Sequence, residues 1–214
     1  MKSQSTALTL VLMSALILFG SPNAYAQTCT YQTYKWNVEA KRAVERQSIS
    51  KPYSSLEASE RDPVTGCSVC DEDQRAVTLA NGVSFKICHI IAKPITDTLN
   101  QALEEGGHIE TVTAYRVGMT RGDVDENGNR TRFSNHAYGT AIDINPQNNG
   151  LYENCKSFGP QCRLRKGGAW TPHLEHGHSR NSPVVISLKE IHWRWGGEIE
   201  GRQKDFMHFS MSGY

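Results

Sequence analysis

The chain has 214 residues, 23 Lys plus Arg against 22 Asp plus Glu, a formal charge of +1 and 38% hydrophobic residues. That length suits one domain with an attached segment or two small domains. The balanced charge, with no basic run, gives no argument for nucleic acid or an anionic membrane surface as partner.

Lys2 precedes an apolar run from Ala7 to Gly20, and "NAYAQ" follows with small residues at Ala24 and Ala26. This is the layout of a secretory signal peptide over residues 1–26, cleaved after Ala26. An uncleaved anchor is the weaker reading, because a span needs about 20 apolar residues. Cys29 follows Ala26-Gln27-Thr28 and lacks the small neighbour of a lipidation site. The mature protein is expected to be soluble, monomeric and not membrane-spanning, in the periplasm or secreted.

Six cysteines (Cys29, Cys67, Cys70, Cys88, Cys155, Cys162) remain after cleavage. Export implies an oxidising compartment, so an even count reads first as disulfides. Six cysteines allow 15 pairings, and the one pair expected is Cys155 with Cys162, stapling a polar loop. The rival is a zinc knuckle from "CSVC" and Cys88-His89, which adjacent ligands make awkward.

Residues 27–65 are polar and without a sustained period, and read as an N-terminal extension packed on a domain spanning 66–214. Order is expected from "AVTLANGVSFKI", a hairpin turning at Asn81-Gly82. A helix follows over roughly Lys93 to Glu105, with Pro94 in its first turn and Gly106-Gly107 stopping it. Ile109 to Arg116 reads as a strand, and "GTAIDIN" as a second one in the core. Residues 147–182 look like a long irregular insertion. Ser182-Pro183 opens a short helix through about His192, and "KDFMHFSM" is a closing strand. Because strands and helices do not alternate strictly, the expected class is α+β, a small mainly antiparallel sheet with helices packed around it.

Asp143 lies in an apolar strand, where an unpartnered carboxylate is costly to bury. His136 stands just before it, next to a glycine-bearing turn, and His208 lies near the end with Asp205 three residues earlier. Histidine nitrogen and carboxylate oxygen are zinc donors, and a hydrolytic zinc keeps three protein ligands and one open position. A nearby unbound carboxylate then serves as general base. Taken singly, each of these residues has an ordinary explanation: Asp143 facing solvent or bonded to backbone, Arg116 in a surface ion pair, Trp193 and Trp195 in a core.

Taken together, "SNHAYGTAIDI" followed by "WGGEIEGRQKDFMHF" resembles the zinc D-alanyl-D-alanine carboxypeptidase and L-alanyl-D-glutamate endopeptidase family, VanY-like and phage-endolysin-like enzymes of peptidoglycan. The elements are Ser134, His136, Gly139, Ala141, Asp143, Trp195-Gly196-Gly197, Asp205, His208 and Phe209, and the resemblance covers about residues 75–211. It implies a hedgehog-like fold with one zinc in a surface groove, held by His136, Asp143 and His208. It makes Asp205 the catalytic base and Arg116 the oxyanion cation, Ala114 standing where Gly is usual before Tyr115-Arg116. Ser134 would orient His136 or touch substrate, and Trp195 would line the substrate groove. The implied activity is cleavage of stem peptides, with L-alanyl-D-glutamate endopeptidase ahead of D-alanyl-D-alanine carboxypeptidase. The alternatives are a zinc-bearing wall-binding module without catalysis and a disulfide-rich structural protein.

Two features stand outside that pattern. "DVDENGNRT" matches the front half of a calcium loop, with donors at Asp123, Asp125 and Asn127, but Ser134 occupies the place of the closing Glu. The competing reading is a plain Asn-Gly turn. His173, His176 and His178 invite a second metal, although a solvated or substrate-facing loop is the preferred reading.

Overall fold

The computed structural model describes residues 28–212, so the signal-peptide reading lies outside the described residues. The strands in chain order are β1 (Thr28–Asn37), β2 (Arg42–Pro52), β3 (Gln74–Thr78), β4 (Ser84–Cys88), β5 (Val112–Thr113), β6 (Met119–Val124) and β7 (Arg130–Phe133). They continue with β8 (Ala141–Ile144), β9 (Leu151–Glu153), β10 (Arg163–Lys166), β11 (Arg194–Trp195), β12 (Gln203–Asp205) and β13 (His208–Ser210). Two helices, α1 (His89–Glu104) and α2 (Pro183–Glu190), complete an α+β architecture of small, mostly antiparallel sheets.

The sheet that carries the chemistry runs β11-β13-β8-β5. Successive strand side chains point to opposite faces. Ile142 and Ile144 of β8 and Phe209 of β13 therefore enter the core, with Ile95 and Leu99 of α1 and Leu188 of α2. The alternate residues, Asp143 and His208, turn to the other face, where the ladder pairs them directly.

Residues 28–65, read as patternless, begin with a long hairpin. β1 and β2 pair from Thr28↔Pro52 to Asn37↔Arg42, and β1 extends a second sheet of order β2-β1-β6-β7. The hairpin is anchored by polar and covalent bonds together with a small apolar cluster, in which Tyr31 of β1 and Ile49 of β2 pack with Val69, Val117 and Phe133. Cys29 is bonded to Cys70, Glu72 accepts from the backbone and hydroxyl of Thr30, and buried Glu60 accepts from Tyr31 and Lys51. Cys67 pairs with Cys88, so "CSVC" serves two disulfides and no zinc knuckle. Cys155 pairs with Cys162 as expected.

Other boundaries moved for identifiable reasons. The β3–β4 hairpin forms, with Leu79 N–H donating to Val83 O. Only Gly82 takes positive φ, and Asn81 instead spends its side chain on Ile109 O and Val83 N–H. Helix α1 begins at His89, which leaves Pro94 inside it. The expected strand from Ile109 to Arg116 shrinks to β5 because its neighbours bond elsewhere. The N–H groups of Glu110 and Thr111 go to the Asn145 side chain, that of Tyr115 to Lys86 O and that of Arg116 to His136 O. The insertion holds β9 and β10, which join β12 in a sheet of order β10-β9-β12. The closing run is two strands, β12 and β13, with a turn at Phe206-Met207. No helix of the described residues is long and apolar enough to cross a membrane.

Candidate metal centre

His136 sits on a single helical turn, Asn135–Tyr138, that leads into β8. Gly139 ends this turn at φ 63°, and a Cβ there would strike the Gln74 side chain and the Cys88 backbone. A side chain at 139 would push the turn, and His136 with it, off the β4–α1 corner. The segment 114–116 brackets the histidine. Ala114 O lies 2.8 Å from its Nδ1, and Arg116 N–H donates to its carbonyl.

Three donor atoms converge. His136 Nε2 is 3.0 Å from Asp143 Oδ1 and 3.2 Å from His208 Nδ1, and His208 Nδ1 is 3.1 Å from Asp143 Oδ1. All three residues are buried, at 2–3% exposure. A carbonyl only accepts, so the proton on His136 belongs on Nδ1, and in the neutral ring Nε2 presents a lone pair to the carboxylate. Such an inward arrangement of lone pairs fits a cation. Zinc bonds of 2.0–2.1 Å in tetrahedral geometry place ligands about 3.4 Å apart, close to the observed edges. The Ala114 carbonyl is the kind of outer partner that fixes the tautomer of a metal-binding histidine.

The electrostatics show that the spot favours positive charge. Burial opposes ionisation of Asp143, yet positive charge and hydrogen bonds supplied by protonated His136 and His208 hold its carboxyl well below the usual range, and a cation seated among neutral rings would take over that part. Burial pushes His208 below the ordinary imidazole value, while the hydrogen bond and charge of Asp143 and the charge of Asp205 act to raise it. The second oxygen of Asp143 is 3.2 Å from Arg116 Nη2.

Asp205 ends β12, buried, and acts electrostatically on His208. The Trp-Gly-Gly segment lies against it. A Cβ on Gly196 would strike Asp205 O and stand 3.0 Å from its Cβ, and Trp195 Nε1 donates to Phe206 O at 2.9 Å. Trp195 is buried and, with Trp170 and Phe206, lines a cavity of about 510 Å³ to which none of the three donors contributes. Trp193 is core. Ser134 is buried beside His136, and its hydroxyl has no hydrogen-bond partner among the described residues.

The remaining candidates stand apart from this triangle. Asp125 accepts from the backbone N–H groups of Asn127 and Asn129 and approaches Lys35, closing the β6–β7 turn. Neither it nor Asp123 belongs to a metal-ready cluster among the described residues. His176 faces Glu110, while His178 is buried against Phe209, not in the solvated loop expected of it. A group of Cys29, Cys70 and Glu72 also lies close together, but both sulfurs are committed to a disulfide.

Residues 127–211 match the family model described as D-alanyl-D-alanine carboxypeptidase. The resemblance read from the sequence holds over that stretch. The match contains all three converging donors, Asp205 and the Trp-Gly-Gly segment, and makes this part of the chain peptidase-like. No curated protein and no solved structure gives a significant match to the chain.

Proposed function

We propose that the protein is an exported zinc peptidase that hydrolyses peptide bonds in peptidoglycan stem peptides, with residues 66–214 as its catalytic unit. The observation that carries this reading is the buried triangle of His136, Asp143 and His208 with Asp205 beside it, inside a segment matching a peptidase family. Bound there, zinc would supply Lewis acidity toward the scissile carbonyl and toward the attacking water.

The chain's own groups supply the rest. Asp205 takes the water's proton and returns it to the leaving amine, which needs a carboxylate close to the centre yet outside its ligand set. Arg116 orients Asp143 through Oδ2 and holds negative charge that develops on the carbonyl oxygen, since a guanidinium stays charged and presents several donors. Ala114 O fixes the His136 ring, and Ser134 supplies a free hydroxyl beside it. The ion would lie at the base of a groove, with Arg116 as the partly exposed group at its edge.

Of the two bonds such a site can cut, the Trp-Gly-Gly and Asp-x-x-His-Phe pattern favours L-alanyl-D-glutamate. The description of the matched family favours the second reading, removal of terminal D-alanine. A non-catalytic zinc module has no use for Asp205. Digestion of purified muropeptides with and without chelator, read by mass spectrometry, tests the proposal. Chelator-sensitive cleavage at either bond is expected, and intact muropeptides after incubation with zinc-loaded protein would refute it.

A further inference from the structure

Asp143 is approached by a second cation that the peptidase reading leaves unused. Lys166, carried by the insertion, places Nζ 3.9 Å from Asp143 Oδ2, the oxygen that Arg116 also contacts. Its side chain is 57% exposed, against 4% for Asp143. Among the described residues this loose contact is its one ion pair, whereas Arg163 and Arg165 on the same strand are both engaged with Glu153.

Sheet register explains the placement. In the sheet β10-β9-β12, Lys166 pairs with Leu151 and Leu151 pairs with Asp205. Residues in one cross-strand row project to one face, so Lys166 and Asp205 share a face, two strand spacings or about 10 Å apart. The bulge between Leu164 and Lys166 sets that row. Gly167 at φ 76° closes the strand where a Cβ would strike Pro146 O. The exposed ammonium thus approaches the donor triangle at Asp143, while the proposed base acts on it at His208.

The chemistry of the two candidate bonds identifies what an ammonium there would recognise. Each has one free carboxylate on the residue that leaves with the nitrogen and none on the residue that supplies the acyl group. In one it is the terminal carboxylate of D-alanine, in the other the α-carboxylate of a D-glutamate whose chain continues through its γ-carboxyl. We propose that Lys166 is a specificity-determining residue that binds the α-carboxylate of the residue leaving with the amine. The proposal rests on the peptidase reading and adds the substrate class, peptides with a free acid at that position.

Zinc-loaded wild type, Lys166→Ala and Lys166→Arg are assayed on L-alanyl-D-glutamate, D-alanyl-D-alanine and the α-amide of each. The dipeptide that is cleaved identifies the source of the carboxylate. For that free acid, Lys166→Ala should raise KM by roughly ten- to a hundredfold with kcat little changed, the range of a charge-assisted hydrogen bond. The amide should already be poor and indifferent to the substitution, Lys166→Arg should recover most of the loss, and melting temperature should stay constant. Calorimetric binding of the same acids to zinc-loaded Asp205→Asn, with and without Lys166→Ala, gives the parallel readout without turnover. Equal effects on acid and amide, or no effect, would overturn the role of Lys166 while leaving the peptidase intact. If no peptide is cleaved or bound, the peptidase reading falls and this proposal with it.

Discussion

His208 and Asp143 are direct partners across the β8–β13 ladder, with Nδ1 of one 3.1 Å from Oδ1 of the other. Two strands far apart in sequence thereby place an imidazole and a carboxylate together on the face opposite the apolar core, and His136 closes the triangle from the turn that feeds β8. A buried carboxylate is expensive without a counter-charge. The ladder makes the convergence obligatory, because a one-residue slip of either strand would turn its donor into the core.

Asp205→Asn should lower kcat on muropeptides by about 10²- to 10⁴-fold, the range of general acid–base catalysis. Zinc content should be unchanged, since the residue lies outside the donor triangle. Steady-state kinetics with parallel metal analysis checks both halves.

Arg116→Ala should cost about 10²- to 10³-fold in kcat, as for removal of one oxyanion donor. Arg116→Lys should recover little, because a lysine cannot reproduce the guanidinium's several donors. Near-full activity of the lysine variant would reduce Arg116 to a simple counter-charge.

The N-terminal hairpin depends on its staple. In the chain-entropy account, the 41-residue separation of Cys29 and Cys70 is worth about 4 kcal/mol, against about 2 kcal/mol for the 7-residue separation of Cys155 and Cys162. Denaturant unfolding of the paired Cys→Ser variants should rank them in that order.

His178 sets an acid limit. Burial lowers its pKa to about 4, against a backbone hydrogen bond with Ile144 that raises it. The folded value lies below the unfolded one of about 6.5, so the neutral ring stabilises the fold fully above about pH 6.5. That contribution, about 3 kcal/mol, disappears as the pH falls toward 4. Urea unfolding from pH 7 to pH 4 should therefore be less steep in pH for His178→Gln than for wild type.

The sequence carried the site more clearly than the fold. His136, Asp143 and His208, each unremarkable alone, were singled out by the resemblance to a long peptidase pattern, and their side chains do converge; the same pattern singled out Asp205, whose role is a proposal. The β8 strand and the β3–β4 hairpin followed from apolar runs and Asn81-Gly82. The β1–β2 hairpin was illegible because its residues are largely polar and part-exposed, its apolar contribution is confined to a few residues such as Tyr31 and Ile49, and its other anchors are a disulfide and carboxylates that no periodicity reports. The Ile109–Arg116 run looked like one strand, yet Asn145, Lys86 and His136 divide its backbone bonds. Lys166 gave no signal, since its place beside Asp143 depends on a bulge in a sheet the insertion builds with β12.

The most direct measurement is zinc stoichiometry by titration and elemental analysis of purified wild type, His136→Ala, Asp143→Ala and His208→Ala. One zinc per wild-type chain is predicted, with its loss in each variant and a lower wild-type melting temperature once chelator removes the ion. Wild-type protein that binds no zinc, or variants that keep a full equivalent, would contradict the account.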